Sequence, residues 1–412
     1  MIRACAGAGA LIVWLGVHSP AFGQTFVHRG FVQGLLSTYP QTTERDDTQV
    51  VFDTLARWEP GVKKGAWRFD AAFEGRMDTH DMTRHSAEVS YWDRSIQRPA
   101  LSVARLSGSW AHGPITIEAG KQPVRWGKTD ILVPTDRFAP RDYLTVVDAE
   151  LLNVTAARMT AASASNSLDI VITPRMTPSR APLLDQRWVS IPPAAAGFTI
   201  VDAGSDVPEG TQYGVRWNRV GARLEHSISF FRGFDHLPTF AATPAGMPAQ
   251  IAITRHHAQL TSAGADVAMP LRWLTLKAEG AWFDSSTPGA GEFVLYVVQA
   301  ERQRGEWLFI GGYAGEYIVH DGTPFRYAAD RGLARAFIGR ASLTVDTNRS
   351  LFFEAVARQN GDGLYARAEY TQALNGNWRA TATGVGFAGD SDDFLGRQRR
   401  NSFARLTLRY SF

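Results

Sequence analysis

The densest group of side chains that could act on a charged ligand lies between residues 123 and 152. It combines three prolines with basic, acidic and indole groups, and the candidate residues are Arg125, Trp126, Lys128, Asp130, Asp136, Arg137, Arg141 and Asp142. Guanidinium and carboxylate groups in this density can pair with one another, with charged walls or with ions. Repeated proline stiffens the backbone, whereas a mobile surface loop would be richer in glycine and serine. The segment therefore indicates an ordered, charged loop.

Conventional catalytic and cofactor arrangements are weak in this sequence. His226 and Ser227 are neighbours on a predicted strand, so they point to opposite faces and cannot pair. The glycine spacing of 384–389 matches a dinucleotide fingerprint, but it lies inside a predicted strand instead of between a strand and a helix. His256 and His257 have no recognisable third ligand. We expect no enzymatic activity, no cofactor and no metal site.

The elements that must position the charged loop are strands with a period of two. Residues 67–78 interleave an aromatic and apolar row with a charged row, which places the charged row in water. Similar patterns recur near 26–37, 50–58, 66–77, 100–111, 114–122, 153–162, 167–174, 212–218, 221–232, 254–267, 271–283, 293–301, 306–314, 335–345, 351–358, 363–371, 377–387 and 402–412. No later segment has 18 consecutive apolar residues. The pattern predicts an all-β fold, a transmembrane antiparallel up-and-down β-barrel.

The connections favour about 18 strands, with 16 as the alternative. Barrels of this type alternate short periplasmic turns with longer outer loops. The predicted long loops are 78–99, 123–152, 175–211, 233–253, 315–334 and 388–401. A miscounted strand would break this alternation midway, and it does not break.

The first 23 residues, 1–23, predict a signal peptide. They have a short positive start, an apolar run, and small residues at the positions that a signal peptidase inspects. The alternative, a membrane anchor, needs about 20 apolar residues. Cys5, the one cysteine, lies in this segment, so residues 24–412 would form a single barrel domain without disulfides.

The last predicted strand has one fully apolar face and ends in an aromatic residue. Leu408, Tyr410 and Phe412 lie on that face. This end resembles that of the outer-membrane barrels of Gram-negative bacteria, whose assembly machinery recognises the terminal strand. The resemblance implies a location in the bacterial outer membrane and makes these three residues a candidate assembly signal.

On the predicted register, the polar rows of the strands line a lumen in which basic groups slightly outnumber acidic ones. The candidate lumen charges are Arg68, Glu74, Arg76, Arg223, Lys277, Arg367, Arg379, Arg405 and Arg409. One interpretation is a ladder of opposite charges that stiffens the interior. The other is an arginine-lined pore that prefers anionic or polar solutes.

A motif next to the charged loop resembles one in a large, poorly characterised set of bacterial outer-membrane barrels, which are porin-like. Its parts are Gly120-Lys121-Gln122, Trp126-Gly127 and Pro134-x-Asp136. Val133 stands where that set has asparagine. The resemblance implies a channel or an exporter and gives no substrate. Porins commonly fold their third outer loop inward, so we expect 123–152 to form a pore constriction; the alternative is a loop that stabilises the barrel rim.

The expected function is a porin-like channel for the passive or selective passage of small polar solutes, with anionic solutes as the narrower expectation. The alternatives are an exporter of an anionic exopolysaccharide and a non-conducting structural or adhesive barrel. Expected partners are outer-membrane lipids, lipopolysaccharide, the barrel-assembly machinery during biogenesis and a small polar solute. The net charge of +3 is too small to indicate a nucleic-acid partner.

Overall fold

The protein folds into a closed antiparallel barrel of 18 strands. The computed structural model describes residues 24–189, 197–246, 249–322 and 331–412. The barrel strands are β1 (Gln24–Thr38), β2 (Val50–Lys64), β3 (Trp67–Asp78), β4 (Arg98–His112), β5 (Ile115–Gln122), β6 (Val154–Ala162), β7 (Asn166–Thr173), β8 (Gln212–Val220), β9 (Glu225–Phe234), β10 (Gln259–Pro270), β11 (Thr275–Asp284), β12 (Glu292–Arg304), β13 (Trp307–His320), β14 (Ala336–Thr344), β15 (Arg349–Arg358), β16 (Gly363–Ala373), β17 (Trp378–Gly389) and β18 (Phe403–Ser411). Each strand pairs with the next, and β18 pairs with β1. The predicted fold and the count of 18 are confirmed, and the alternative of 16 is wrong.

Little of the described chain is helical. The described ranges contain two short 3₁₀ segments, Val146–Asp148 and Gly396–Asn401. Neither segment has the length or hydrophobicity of a membrane-spanning helix, and the other described residues form no such helix. The predicted signal peptide, residues 1–23, lies outside the described residues.

The outward face of the barrel is apolar because side chains alternate along each strand. On β3, Phe69 and Met77 point outward and are 54% and 67% exposed. Glu74 and Arg76, on the other face of the strand, are each 9% exposed and pair with each other inside the barrel. An apolar surface of this extent is suited to hydrocarbon, and the charged rows face the interior of the barrel.

Because adjacent side chains of a strand point to opposite faces, we expect the stability of the barrel to respond differently to a charge at two adjacent residues of β17. Ala382→Arg should cost roughly 2–4 kcal/mol of folding free energy, because its side chain would enter hydrocarbon near the bilayer midplane. Thr381→Arg should cost much less, because Thr381 faces the lumen. Denaturant unfolding in lipid vesicles, followed by tryptophan fluorescence, measures both. Equal losses would show that the register of β17 is wrong.

The connections alternate between the two ends of the barrel, as the sequence predicts. One end carries the short turns 65–66, 113–114, 163–165, 221–224, 271–274, 305–306, 345–348 and 374–377. The other carries the loops 39–49, 79–97, 123–153, 174–211, 235–258, 285–291, 321–335, 359–362 and 390–402. Loops 79–97, 123–153 and 174–211 are called loops 2, 3 and 4 below.

Several outer loops contain strands of their own. Thr83–Ser90 of loop 2 pairs in parallel with the outer half of β4. In loop 3, Arg141–Asp142 pairs with Glu150–Leu151. Gln250–His256 lies between Thr199–Asp206 and Thr239–Pro244 in a small sheet separate from that of the barrel. The strand predicted at 254–267 therefore begins only at Gln259, since the residues before it belong to that sheet.

The strand predicted at 50–58 is longer in the structure because a proline does not end it. β2 continues to Lys64, and Pro60 pairs with His28 of β1. The ladder between β2 and β3 omits Glu59 and Pro60, so no hydrogen bond is required from the proline nitrogen. The turn falls at Gly65, which has a φ of +58°.

The assignment of Arg223 to the lumen is corrected by the structure. β8 runs to Val220, which pairs directly with Glu225. The four residues between them form a turn closed by a hydrogen bond of 2.9 Å from the Gly221 amide to the Leu224 carbonyl. Arg223 is exposed in this turn, outside the strand.

Candidate functional site: the third outer loop

Loop 3 folds into the barrel and contacts opposite sides of its wall. Its first half binds Glu279 of β11 through the backbone amide of Lys128, at 2.9 Å. Its second half carries Asp148, which accepts a 2.7 Å hydrogen bond from Arg367 of β16 and also pairs with Arg405 of β18. Loop 3 therefore crosses the lumen, and its position is set by charged groups on strands far apart in the sheet.

The Glu279 carboxylate is the main anchor for the first half of the loop. It accepts hydrogen bonds from the backbone amides of Lys128, Thr129 and Thr135, at 2.9, 3.2 and 2.9 Å. It also accepts bonds of 2.8 Å from both threonine hydroxyls. Gly127 makes this approach possible, because a Cβ there would lie 2.7 Å from both carboxylate oxygens, and its φ is +92°.

Asp130 holds the tip of this half against the same side of the wall, on β11, β12 and β14. Its carboxylate accepts 2.7 Å hydrogen bonds from Lys277 and Gln299, and its backbone amide donates to Gln299 at 2.9 Å. Arg340 donates to its carbonyl. Burial by itself would raise the pKa of Asp130, but the bonds from Lys277 and Gln299 outweigh it and hold the pKa below its usual value.

Lys128 lies in a second polar contact with the wall. Its ammonium group donates to Asn218 of β8 at 2.9 Å and also bonds Glu225 of β9. It lies 3.5 Å from Asp266 of β10. Three adjacent strands thus share one loop cation.

Trp126 is wedged between the loop and the wall. Its indole nitrogen donates to Asp169 of β7 at 2.9 Å, and its ring packs edge-on against Phe138 at 5.2 Å. Asp136 accepts a 2.9 Å bond from the Trp126 amide and a 2.8 Å bond from Arg125. Burial raises the pKa of Asp136, against the opposing effect of these donors.

The second half of the loop is held by buried arginines. Asp142 accepts two hydrogen bonds from Arg98 of β4, at 2.9 and 3.1 Å, and one of 3.0 Å from Arg180 of loop 4. Burial would raise the pKa of Asp142, but the two guanidinium groups lower it well below its usual range. Next to it, Glu150 of loop 3 pairs with Arg76 of β3.

The candidate loop residues differ in how exposed their side chains are. Trp126, Asp136, Arg137 and Asp142 are buried among protein groups. Arg137 lies over the Phe283 ring at 4.9 Å. The side chains of Arg125 and Asp130 are 50% and 40% exposed. Arg141 is half-buried and donates to the Ala149 carbonyl at 3.4 Å.

A segment of loop 4 also enters the barrel, and its residues are absent from the candidate list. Arg180 bridges Asp142 of loop 3 and Asp93 of loop 2, with bonds of 3.0 Å to each. Arg187 stacks on Tyr39 at 3.7 Å and donates to Asp46 at 3.2 Å. The sequence signal is similar to that of loop 3, since arginine, aspartate and tryptophan lie near two prolines in 175–189.

The motif before loop 3 has a structural role at the wall of the barrel. Gly120 has a φ of +115°, and a Cβ there would lie 2.2 Å from the Leu106 carbonyl. Lys121 is 1% exposed and donates to the Tyr91 and Val103 carbonyls at 2.7 Å, with Asp93 as its ion pair. These contacts join loop 2 to β4 and β5 where loop 3 leaves the sheet.

Most candidate lumen charges lie on inward rows and are paired. Arg68 pairs with Asp70 at 2.8 Å, and Arg76 pairs with Glu74. Lys277 binds loop 3 and Glu301, and Arg367 and Arg405 share Asp148. These pairs are the ladder of opposite charges that the sequence allowed as one interpretation.

Arg379 and Arg409 differ from this pattern. They lie directly opposite each other on β17 and β18. Within the described ranges neither makes an ion pair or a side-chain hydrogen bond. Arg409 stacks on the Phe31 ring at 3.6 Å. Like charges in direct register destabilise a sheet, so an anion from the lumen would stabilise this pair.

The candidate assembly residues lie on the outward face. Leu408, Tyr410 and Phe412 are 43%, 36% and 49% exposed. Phe412 exchanges two backbone hydrogen bonds of 3.0 Å with Gly30 of β1. A Cβ at Gly30 would lie 2.5 Å from the Phe412 ring, so the terminal ring packs over the seam that closes the barrel.

Comparison with solved structures shows the same architecture. OccAB4 of Acinetobacter baumannii has a TM-score of 0.56 at 8% identity, covering 94% of this chain and 98% of that chain. A BenF-like porin from Pseudomonas fluorescens Pf-5 has a TM-score of 0.54 at 10% identity, also over 94% and 98%. OpdQ of Pseudomonas aeruginosa has 0.53 at 9% identity over the same shares. No protein-family model and no curated protein matches the sequence. The chain is therefore similar in fold to these barrels, one of which is described as a porin.

Proposed function

We propose that this protein is a porin-like channel of the bacterial outer membrane that passes small polar solutes and has loop 3 as its constriction. The observation that carries the proposal is the loop itself, anchored by Glu279 on one side of the lumen and by Arg367 and Arg405 on the other. The apolar outer surface and the fold shared with a described porin support it. Preset charges near a narrow section act strongly on a passing ion because little bulk water screens them.

We further propose that the channel prefers anions. Arg379 and Arg409 supply two cations on one wall without a carboxylate partner. The other lumen arginines described above are neutralised by strand or loop carboxylates. An anion that passes this level of the lumen would meet both guanidinium groups and the ring of Phe31.

Planar-bilayer recording tests both statements. Wild-type protein should give discrete conductance steps and, in a salt gradient, a reversal potential of the sign expected for anion preference. Arg379→Gln combined with Arg409→Gln should shift that potential toward zero with little change in conductance, because the loop anchors remain. Arg399→Gln with Arg400→Gln in the last outer loop removes the same charge away from these positions and is the control. An unchanged reversal potential in the first variant would contradict the anion site, and no conductance in wild-type protein would contradict the channel.

A further inference from the structure

Three arginines without ion-pair partners lie at the turn end of the barrel. Arg302 and Arg304 are on β12, in register with the outward residues Phe309 and Trp307 of β13. Arg272 is in the neighbouring turn, and all three side chains are exposed. In the part of the chain that the structure describes, none of them makes an ion pair. They lie where the apolar outer band ends.

Two tryptophans flank these arginines. Trp273, next to Arg272, is 62% exposed, and the Arg302 guanidinium lies 5.6 Å from its ring centre. Trp307 stacks on Phe309 at 5.4 Å. Tryptophan is enriched at membrane interfaces because its ring is apolar and its N–H is polar. We call the surface formed by Arg272, Trp273, Arg302, Arg304 and Trp307 the arginine–tryptophan patch.

Nearby carboxylates do not neutralise the arginine–tryptophan patch. Glu301 points into the lumen, where it pairs with Lys277 at 2.8 Å. Glu306 is exposed in the turn after β12 and makes no ion pair among the described residues. A second hairpin also places a tryptophan and an arginine outward, because Trp217 and Arg219 lie on the same outward row of β8. The lipid-facing rim at the turn end of the barrel therefore combines cations with aromatic rings suited to a membrane interface.

We propose that the arginine–tryptophan patch binds the phosphate of an anionic phospholipid in the leaflet at the turn end of the barrel, that is, the periplasmic leaflet. The inference rests on the proposed membrane location and is independent of conduction. A guanidinium group that lies over an indole ring keeps its N–H donors free, and a headgroup phosphate can accept from two of them. Trp307 and Phe309 would meet the first part of the acyl chains. A lipid satisfies both halves of the surface, whereas free phosphate satisfies only the cations.

The test compares lipid retention by purified, folded protein. Wild-type protein is reconstituted in phosphatidylcholine nanodiscs with about 10% phosphatidylglycerol, so that the anionic lipid is the minor component. Lipid that stays bound after transfer to detergent is then counted by native mass spectrometry. Arg302→Gln with Arg304→Gln should weaken phosphatidylglycerol binding by about tenfold or more. The control, Arg399→Gln with Arg400→Gln, removes the same charge at the other end of the barrel and should bind as wild type does.

A second variant and two competitors keep the outcomes distinct. Trp273→Ala leaves all three arginines in place and should also reduce phosphatidylglycerol retention, whereas a simple charge effect would leave it unchanged and overturn the patch. Inorganic phosphate that displaces the lipid at equal concentration would show a free-anion site and overturn the proposal. If the variant that lacks Arg302 and Arg304 loses binding of lipopolysaccharide, the turn end of the barrel lies in the outer leaflet. That result would also overturn the proposal. Conductance of the same protein preparations is measured in planar bilayers, so failure of the channel proposal is seen separately.

Discussion

Deletion of residues 128–139 is expected to raise single-channel conductance severalfold while the barrel still folds. The deleted segment contains Lys128, Asp130 and Thr135, which contact six different strands, β8 to β12 and β14, through side chains and backbone. Those wall groups face the lumen, so water can replace the lost hydrogen bonds. The barrel seam and the strand ladders do not depend on the segment. Conductance in planar bilayers and heat-modifiable migration on gels measure the two halves of this prediction.

A single substitution at Glu279 distinguishes the effect of loop position on conductance from the effect of loop length. Glu279→Ala removes the acceptor of five hydrogen bonds, each worth about 1.5–3 kcal/mol when the partner is charged. It should give a larger and noisier conductance, because the loop is intact but no longer held. Glu279→Gln should fall between, since its amide nitrogen cannot accept. Glu118→Gln, a lumen carboxylate that pairs with Arg105 and does not contact loop 3, is the control.

The outcome that contradicts the constriction is specific. If the deletion and Glu279→Ala both fold and both leave conductance and reversal potential unchanged, loop 3 does not set the pore cross-section. A rise in conductance for Glu118→Gln equal to that for Glu279→Ala would show a general effect of lumen charge. Either result returns loop 3 to the alternative role of stabilising the barrel.

The barrel could be predicted from the sequence because its signals are local. Alternation over each strand and the short turns between hairpins are readable within about ten residues. The errors fall where a distant partner decides the boundary. β2 continues through Pro60 because the ladder between β2 and β3 omits that residue. Residues 250–256 pair with a strand of another loop and therefore leave the predicted barrel strand. Neither partner is visible in the local pattern.

The site was less predictable for the same reason. Composition drew attention to the charges of loop 3, but the residue that anchors it, Glu279, is one of many lumen carboxylates in the sequence. Its donors lie about 150 positions away. The role of Arg180 was equally hard to predict, because it depends on contacts with Asp93 and Asp142 in two other loops. Only the folded chain brings these groups together.

The second large effect is expected at the seam between β1 and β18. Phe412→Ser should strongly reduce folded barrel in the outer membrane and leave chain in periplasmic aggregates. The substitution removes the outward aromatic that we expect the assembly machinery to recognise, and also the ring that packs over Gly30. Membrane fractionation with heat-modifiable migration measures the folded fraction. Phe230→Ser removes an outward ring of similar exposure, 42%, from β9 and is the matched control.

Gly30→Ala distinguishes recognition from packing at this seam. An added Cβ would lie 2.5 Å from the Phe412 ring and 2.6 Å from the Arg57 carbonyl, so it disturbs the closed seam while leaving the terminal strand unchanged. We expect Gly30→Ala to lower the stability of refolded barrel in vitro but to be inserted in cells more efficiently than Phe412→Ser. Phe412→Ser should show the reverse, with refolding in detergent close to wild type, because two backbone hydrogen bonds still join residue 412 to Gly30. Should both variants fail equally in cells and in vitro, the terminal ring acts through packing alone, and the assembly role of Leu408, Tyr410 and Phe412 is refuted.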